Sequence, residues 1–253
     1  MRVVITGAAG RIGGQLIEEL ASDHQLCLID RRSVVGLKSR TLDLGQRRPD
    51  QRVRNWLSRK SKSWRELLVG CDVIVHLAAN SDARAPWNEI VSDNLQATWN
   101  IIEAAAEHCV PRVVFASSNW AVKAMENRSA PECYLAEGPK ISSAAGPCPS
   151  NPYGISKALG EIAGRMFVDE GRLASFIAVR IGNYNPRPPR DELLRTRWIG
   201  TEDIRRLFRR CVEANLNGFH VVYGVSAQSS APYDLSYTRH ILSWEPRQNS
   251  ADV

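Results

Sequence analysis

The sequence predicts an α/β fold built on a doubly wound parallel sheet with helices on both faces. Short β-branched runs alternate with longer amphipathic runs from the N-terminus to about Arg180, which is the pattern of consecutive βαβ units. A glycine-rich turn between Thr6 and Gly13 directly follows the first apolar run, and this combination is typical of a Rossmann-type sheet. Because parallel strands are joined by right-handed crossovers, the helices are expected to pack back onto the sheet.

The predicted elements follow in chain order. Short apolar runs predict strands at residues 2–6, 25–30, 72–77, 112–116, 174–180 and 219–223, with a short third strand before Asp43. Apolar residues at helical spacing predict helices at 11–21, 88–108, 153–169, 201–215 and about 234–242. We expect residues 1–182 to form a dinucleotide-binding and catalytic core. Residues 183–253 are expected to form a short C-terminal substrate-binding cap packed on it.

The composition indicates a globular protein with a sizeable core. Of the 253 residues, 43% are hydrophobic, and the mean hydropathy is −0.28. No apolar run approaches the roughly 20 residues of a membrane-spanning helix, and the N-terminus enters a strand at once, so a cytoplasmic location without a membrane partner is expected. The six cysteines are scattered without a C-x-x-C pair, which favours reduced thiols and no metal site.

The positive charge is concentrated in one segment. Between Gly45 and Arg65 there are eight basic residues and one acidic residue, a local +7 that accounts for the whole net charge of +6. A solvated surface segment is the favoured interpretation, and a contact for an anionic partner is the alternative. Nucleic acid is disfavoured because only Trp56 and Trp64 supply aromatic rings there.

Gly7, Gly10 and Gly13 form a G-x-x-G-x-x-G turn at the predicted junction of strand and helix. Such a turn needs a positive φ, close approach of a ligand and close packing of helix on strand, and glycine permits all three. The helix N-terminus then offers unpaired N–H groups to phosphates. The turn predicts a dinucleotide site that Arg11 and Ile12 also contact, and an ordinary glycine turn is the alternative.

Asp30 ends the second predicted strand. A carboxylate at this place can accept hydrogen bonds from both ribose hydroxyls of NAD. The same charge repels a 2′-phosphate, so NAD is the expected cofactor. Arg31 and Arg32 follow at once and could bind that phosphate, which keeps NADP as the less favoured alternative. Arg31 is assigned to the cofactor site.

Further cofactor contacts are predicted at the carboxyl ends of neighbouring strands. Asp43 and Leu44 are placed to meet the adenine, with a surface turn as the alternative. Small side chains after the fourth strand let a cofactor pass close to the backbone, with tight packing as the alternative. The residues assigned to the cofactor at these strand ends are Leu77, Ala78, Ala79, Ser117 and Ile181.

Tyr153 and Lys157 lie at i and i+4 of a predicted helix and therefore share one face. A free tyrosine has a pKa of about 10 and is a poor base at neutral pH. A nearby ammonium and the positive charge of nicotinamide both favour the phenolate. Ser118, after the fifth strand, can hydrogen-bond the reacting oxygen of a substrate. The three residues predict proton transfer beside the cofactor; a helix-start tyrosine with a surface lysine is the alternative.

With these motifs the chain resembles the extended short-chain dehydrogenases/reductases, the NAD-dependent epimerase/dehydratase family, over essentially its whole length. The resemblance implies a catalytic Ser–Tyr–Lys triad at Ser118, Tyr153 and Lys157, and a helix asparagine at Asn94. It also implies a homodimer or higher homo-oligomer, which pairs through the helices at roughly 88–108 and 153–169.

The chain is also similar to the uronate dehydrogenases, which oxidise the anomeric carbon of a hexuronate to an aldarolactone with NAD. The similarity rests on residues 115–119, 153–157, 179–182, 198–203 and 222–227. It implies that Arg180 binds the sugar carboxylate and that Ser81 and Asn119 contact the sugar. Trp120 stands where those enzymes have a histidine; it offers the substrate a stacking face and one donor, and core packing is the alternative.

Two observations favour a small acidic sugar independently of the resemblance. Arg180 ends the sixth predicted strand, at the crevice where ligands of this fold bind. A guanidinium can grip a carboxylate through two hydrogen bonds, and a structural salt bridge is the alternative. Only 70 residues follow Asn183, which favours a small, unactivated substrate over a sugar nucleotide.

Two other functions stay open. A sugar epimerase, a dehydratase or a reductase of another small carbonyl would use the same catalytic residues. A non-catalytic NAD(P)-binding sensor or partner-binding protein belongs to a different class. The combination of Ser118, Tyr153 and Lys157 argues against the sensor, because a sensor needs no proton-transfer group.

Overall fold

The computed structural model describes residues 1–45 and 64–252. Apart from Arg65, the basic residues of the predicted surface segment lie outside the described residues. Arg65 itself forms ion pairs with Glu103 at 3.2 Å and with Glu107 at 2.7 Å. This member of the segment therefore joins a helix of the core.

A seven-stranded parallel sheet forms the centre of the protein. Its strands are β1 (Arg2–Thr6), β2 (Gln25–Asp30), β3 (Ser39–Thr41), β4 (Val73–His76), β5 (Arg112–Ser118), β6 (Ser175–Ile181) and β9 (Gly218–Gly224), and β7 (Asn183–Tyr184) pairs separately with β8 (Trp198–Ile199). The order in the sheet is β3-β2-β1-β4-β5-β6-β9, with every pair parallel. The chain switches direction across the sheet between β1 and β4, which opens a crevice at their carboxyl ends. The predicted fold class is confirmed.

Helices cover both faces of this sheet. In chain order they are α1 (Arg11–Leu20), α2 (Trp87–Ile90), α3 (Ala97–Glu107), α4 (Lys123–Arg128), α5 (Pro152–Asp169), α6 (Glu192–Arg195), α7 (Thr201–Glu213) and α8 (Ser236–Leu242), with a π-helical turn at Val91–Gln96 and 3-10 turns at Trp64–Leu68, Asn119–Val122 and Glu132–Tyr134. Alternate residues of β5 show the two layers: Val113 and Phe115 belong to the apolar cluster under α3 and α5, whereas Val114 belongs to the cluster under α1 and α7. Strands buried on both faces are apolar throughout, which is why they were detectable as continuous runs.

The segment predicted as one helix at 88–108 is divided in the structure. It consists of α2, the π-helical turn and α3. The π-helical turn contains Asn94, whose side chain is buried and is hydrogen-bonded to Asn80 and Ser156. Apolar periodicity could not show this division, because it does not distinguish an i+4 from an i+5 backbone hydrogen bond within a single turn.

The C-terminal segment predicted as a cap also completes the core. β9 pairs with β6 along its whole length, and α7 packs on α1. Arg209 of α7 forms an ion pair with Glu19 of α1 at 2.6 Å, and Arg205 pairs with Glu18. The segment after residue 182 therefore contributes a strand and a helix to the doubly wound fold. The short strand β7 reaches the crevice, where Asn183 and Tyr184 line a cavity.

No helix among the described residues is long and apolar enough to cross a membrane. The same part of the chain contains no cluster of histidine, cysteine and acidic residues suited to a metal ion. All six cysteines have free thiols in this structure.

Candidate active site

Two adjoining cavities occupy the crevice at the carboxyl ends of the strands. The first, of about 330 Å³, is lined by Asp30, Asp43 and Asp93 among others and is called the Asp30 cavity. The second, of about 280 Å³, is lined by Tyr153 and Lys157 among others and is called the Tyr153 cavity. They share four lining residues: Gly7, Gly10, Leu77 and Ala79. One continuous cleft therefore runs across the glycine turn.

The glycine turn has the geometry that its sequence requires. Gly7 has a φ of +71°, and a Cβ at this position would lie 2.7 Å from the backbone nitrogen of Ala78. A Cβ at Gly13 would lie 2.4 Å from the carbonyl oxygen of Gly7. Gly10 precedes α1 without a side-chain cap, so the first N–H groups of the helix are open to the cleft. Arg11 and Ile12 line the Tyr153 cavity.

Asp30 lies at the mouth of the Asp30 cavity and is held in place by the backbone. Its carboxylate accepts hydrogen bonds from the N–H groups of Ala9 and Arg32, both at 2.9 Å. Arg31 forms an ion pair with Asp93 at 2.8 Å. Asp30 thus lies beside the glycine turn, where a ribose would bind, and Arg31 is directed to the π-helical turn.

The residues predicted around the adenine line the same cavity. The Asp43 carboxylate accepts a hydrogen bond from the Gly45 N–H at 3.0 Å. The carbonyl of Leu44 accepts one from the Asn100 side chain at 2.6 Å, and the Leu44 side chain is buried. Ala78 also lines this cavity.

Tyr153 reaches the site because the start of α5 is tightly specified. The Asn151 side chain caps the helix by accepting a hydrogen bond from the Gly154 N–H at 2.7 Å, and Pro152 occupies the first turn. A Cβ at Gly154 would lie 2.4 Å from the carbonyl oxygen of Trp120. The missing side chain at Gly154 lets α5 approach the turn at Asn119–Val122, directly after Ser118 at the end of β5.

Burial moves the pKa values of Tyr153 and Lys157 in opposite directions. Burial raises the pKa of Tyr153 to about 12, and a hydrogen bond with Ser118 opposes this rise. Burial lowers the pKa of Lys157 to about 8. The Lys157 ammonium donates to the Ala116 carbonyl at 2.8 Å and lies 5.7 Å from the centre of the Tyr153 ring. Tyr153 and Lys157 are thus close together and buried, so the charge of a bound ligand would act strongly on both pKa values.

Asn94 acts on the site through the backbone. Its side-chain oxygen accepts a hydrogen bond from the Asn80 N–H at 2.7 Å, and its amide donates to the Asn80 carbonyl at 3.0 Å. The same amide donates to the Ser156 hydroxyl at 3.0 Å, which in turn donates to the Tyr153 carbonyl at 2.7 Å. Asn94 therefore fixes the loop after β4 to the first turn of α5.

Arg180 does not reach the Tyr153 cavity. Its side chain is 1% exposed and forms two hydrogen bonds with the Glu161 carboxylate, at 2.9 and 2.8 Å. Its remaining N–H groups donate to the Ala145 carbonyl and to the Tyr223 hydroxyl. The Ser117 hydroxyl also donates to Glu161, at 2.5 Å. The guanidinium is thus saturated by a structural salt bridge, which was the alternative interpretation of this residue.

The other residues assigned to the substrate divide into two groups. Ser81, Ser118 and Trp120 line the Tyr153 cavity. Asn119 is buried behind this wall, where its side-chain oxygen accepts a hydrogen bond from Ser118 at 3.2 Å. The cofactor residues Ser117 and Ile181 line the same cavity.

Sequence reasoning missed several residues that line the cleft. In the Tyr153 cavity they are Ala116, Gly182, Asn183 and Tyr184, and in the Asp30 cavity they include Leu42, Gly45, Asn80, Glu89 and Asp93. Their position directly after predicted strands was an available signal for Gly182, Asn183 and Asn80. No sequence signal indicated Asp93, because its place depends on the π-helical turn.

Comparison with known proteins identifies the protein family of this chain. A family model described as the NAD dependent epimerase/dehydratase family matches residues 3–201. The chain belongs to this family. The predicted resemblance is therefore confirmed, as are the predicted NAD-dependent enzyme class and the cofactor.

Three similar proteins span nearly the whole chain. An L-arabinose 1-dehydrogenase (NAD(P)(+)) of Haloferax volcanii is 32% identical, over 100% of this chain and 98% of the relative. An NAD-dependent glucose-6-phosphate dehydrogenase of the same organism is 30% identical, over 99% and 94%. A crystal structure of a mutant uronate dehydrogenase from Agrobacterium tumefaciens, complexed with NAD, is 28% identical with a TM-score of 0.77, over 99% and 86%.

The residues of the cleft fit NAD. The close approaches at Gly7 and Gly13 leave no room for side chains where a pyrophosphate would pass. The uncapped start of α1 supplies N–H donors, and Asp30 supplies a carboxylate for ribose hydroxyls. Lys157 lies at the far end of the same cleft, where a nicotinamide ribose would bind.

Proposed function

We propose that the protein is an NAD-dependent sugar dehydrogenase that oxidises the anomeric carbon of a small, unactivated sugar, with a hexuronate as the first candidate. The observation that carries the proposal is the meeting of Ser118, Tyr153 and Lys157 in a cavity continuous with the glycine turn. A dinucleotide held by that turn would lie beside Tyr153 and Lys157. Burial alone raises the pKa of Tyr153 to about 12 and so disfavours its phenolate, which means that the positive charges of Lys157 and of bound nicotinamide would have to lower this pKa.

Each of the three side chains has a separate role in the proposed reaction. Tyr153 takes the proton of the anomeric hydroxyl, and Ser118 orients that oxygen through a hydrogen bond. NAD, held by the glycine turn and Lys157, would supply the hydride acceptor. Lys157 holds the nicotinamide ribose and favours the phenolate of Tyr153 by its charge. The products are the lactone or corresponding carbonyl compound, reduced cofactor and one proton.

The relatives and the short C-terminal segment both favour a small substrate. Three relatives that match nearly the whole chain are named for arabinose, glucose 6-phosphate and uronate, all single sugars without a nucleotide. β9 and α7 are used for the core, which leaves little chain to enclose a nucleotide. A single sugar is therefore the substrate class that we propose.

Arg180 is not placed to bind the carboxylate of a hexuronate in the Tyr153 cavity. Among the described residues that line the Tyr153 cavity, the cations are Arg11 and Lys157, and both are assigned to the cofactor. If the substrate is a hexuronate, its carboxylate is bound by a residue other than Arg180. Neutral sugars, hexuronates and sugar phosphates must therefore be tested side by side.

The test is formation of reduced cofactor with NAD or NADP, using glucuronate, galacturonate, arabinose, glucose and glucose 6-phosphate. We expect turnover of at least one sugar with NAD and its loss by about 100-fold or more in Tyr153→Phe, the scale of a missing acid–base group. Tyr237→Phe is the matched control, because Tyr237 lies on the surface and pairs with His220. It should keep wild-type turnover.

Two results would contradict the proposal. One is near-full turnover by Tyr153→Phe with intact NAD binding, which would remove the tyrosine from the chemistry. The other is silence on every sugar together with NAD that copurifies and does not exchange. That second result would point to an epimerase or dehydratase, which regenerates its own NAD.

A further inference from the structure

The Arg31–Asp93 ion pair joins two walls of the Asp30 cavity. Arg31 directly follows Asp30 at the carboxyl end of β2, the place where an arginine in this type of fold can accept the 2′-phosphate of NADP. Asp93 comes from the π-helical turn on the opposite side of the cavity. The two charged groups meet at 2.8 Å, so the guanidinium already has an anionic partner.

The charges around this cavity are unfavourable for a second anion. Its described lining contains four carboxylates and two guanidinium groups, namely Asp30, Asp43, Glu89, Asp93, Arg31 and Arg32. Arg32 donates to the Ala9 carbonyl at 3.4 Å and lies 4.0 Å from the Asp30 carboxylate, with its side chain 71% exposed. A phosphate brought to Arg31 would therefore have to compete with the carboxylate of Asp93 while lying close to that of Asp30.

Asp93 is also held in place before any ligand arrives. Its side chain is 18% exposed, whereas that of Arg31 is 55% exposed. The next residue, Asn94, is anchored to Asn80 and Ser156 by three hydrogen bonds. The carboxylate is therefore the fixed member of the pair, and the arginine is the member that adapts to it.

We propose that Asp93 is a cofactor-selectivity residue, which excludes the 2′-phosphate of NADP by neutralising Arg31. The inference rests on the proposed NAD-dependent function and assigns a determinant of selectivity beyond Asp30. Asp30 repels the phosphate directly, and Asp93 withholds the guanidinium that would otherwise bind it. Removal of the Asp93 charge should free Arg31 for a phosphate while Asp30 is still present.

The test measures binding of cofactor fragments to the full chain by titration calorimetry. The probes are 5′-AMP and 2′,5′-ADP, which differ by the 2′-phosphate alone. In Asp93→Asn we expect the affinity for 2′,5′-ADP to rise by about fivefold, and that for 5′-AMP to change by less than about twofold. Asp93→Ser serves as a second variant if the asparagine keeps a hydrogen bond to Arg31.

Two further variants separate release of Arg31 from a general loss of negative charge. Asp93→Asn combined with Arg31→Met should lose the gain for 2′,5′-ADP. Glu89→Gln removes a charge from the same cavity but not from the ion pair, since Glu89 accepts a hydrogen bond from the Asn80 amide at 3.0 Å. This control should raise the affinity for 2′,5′-ADP by less than Asp93→Asn does.

The inference is overturned if Asp93→Asn and Asp93→Ser leave the ratio of the two affinities unchanged, or if the double variant keeps the gain. Both results leave the proposed function standing, because 5′-AMP and NAD would still bind. The proposed function fails in a different way, through absence of NAD binding or of sugar turnover by the wild-type protein. With an active sugar in hand, the ratio of kcat/KM for NADP to that for NAD should rise in Asp93→Asn in parallel.

Discussion

At the scale of single residues, burial decides which side chains near the cleft are charged. Tyr153 and Lys157 are buried enough that their pKa values move apart, that of Tyr153 rising to about 12 and that of Lys157 falling to about 8. His76 lies deeper, between the Thr6 and Thr98 hydroxyls at 2.7 and 3.1 Å. Burial lowers the pKa of His76 to about 3, and the charge of Lys157 adds to this effect.

His76 should make the fold sensitive to acid. In the unfolded chain its pKa is about 6.5, so below that pH the unfolded state binds a proton that the folded state refuses. The contribution of His76 to the free energy of unfolding is therefore fully present above about pH 6.5. It is lost as the pH falls below that value, at about 1.4 kcal/mol per pH unit. Denaturant unfolding at pH 7 and pH 5 should differ by about 2 kcal/mol from this group alone.

The variant His76→Gln isolates this contribution. The quantity compared is the change in unfolding free energy between pH 7 and pH 5, so a different absolute stability of the variant does not affect the result. It should show a smaller loss of unfolding free energy from pH 7 to pH 5 than the wild type. His240→Gln, at an exposed position, is the control and should keep the wild-type difference. An unchanged difference in His76→Gln would show that the imidazole is not the group responsible.

At the scale of elements, α5 is the helix that links packing to chemistry. Its N-terminal end places Tyr153, and further along it packs glycine against the aromatic side chains of the sheet. A Cβ at Gly160 would lie 2.5 Å from the Phe115 ring, and one at Gly164 would lie 2.4 Å from the Phe176 ring. These glycines let the helix axis approach the sheet.

Gly164→Ala should therefore destabilise the protein, by about 1–3 kcal/mol, because the added methyl overfills a packed layer. Gly14→Ala is the matched control on α1, where a Cβ would meet nothing within 4 Å. It should stabilise the protein by up to about 1 kcal/mol through better helix propensity. Denaturant unfolding of both variants is the measurement, and shifts of equal sign would contradict the packing argument.

The π-helical turn is the second element with two roles. Its consecutive residues Asp93 and Asn94 serve opposite ends of the cleft, one through Arg31 and the other through Asn80 and Ser156. A turn with one extra residue allows neighbouring side chains to diverge in this way, and such turns are common at functional sites. The cofactor end and the catalytic end are thereby attached to the same short segment.

At the scale of the whole molecule, one apolar face is left exposed by the residues that the structure describes. Ile155, Leu159 and Ile162 are exposed along one side of α5, and Trp99 of α3 is exposed beside them, with 38, 42, 54 and 42% of their areas open. These are the helices through which the family resemblance implied that copies pair. A contiguous apolar patch of this kind is typical of a protein interface. We therefore expect a homodimer or a higher homo-oligomer.

Sedimentation velocity tests this expectation. The wild type should sediment as a dimer or larger species, and Leu159→Glu should shift it towards the monomer, because a buried unpaired charge opposes association. Leu135→Glu changes an exposed leucine elsewhere, 60% open, and should leave the assembly intact. A monodisperse wild-type monomer would contradict the expected pairing.

The sequence by itself determined the fold class, the glycine turn and the pairing of Tyr153 with Lys157. These inferences rest on short-range patterns, such as apolar periodicity and i to i+4 spacing, which carry into three dimensions unchanged. The positions of Asp30, Asp43 and Leu44 at the cleft followed as well, since the carboxyl ends of parallel strands meet at one edge of the sheet.

Only the tertiary structure decided the roles of the charged side chains. Arg180 lies at the carboxyl end of β6 as expected, but its side chain forms an ion pair with Glu161 of α5. Arg31 meets Asp93 because a π-helical turn lies across the cavity from β2. A long side chain binds whichever partner the packed elements bring within reach, and burial forces each charge to find one. Sequence spacing does not contain that information.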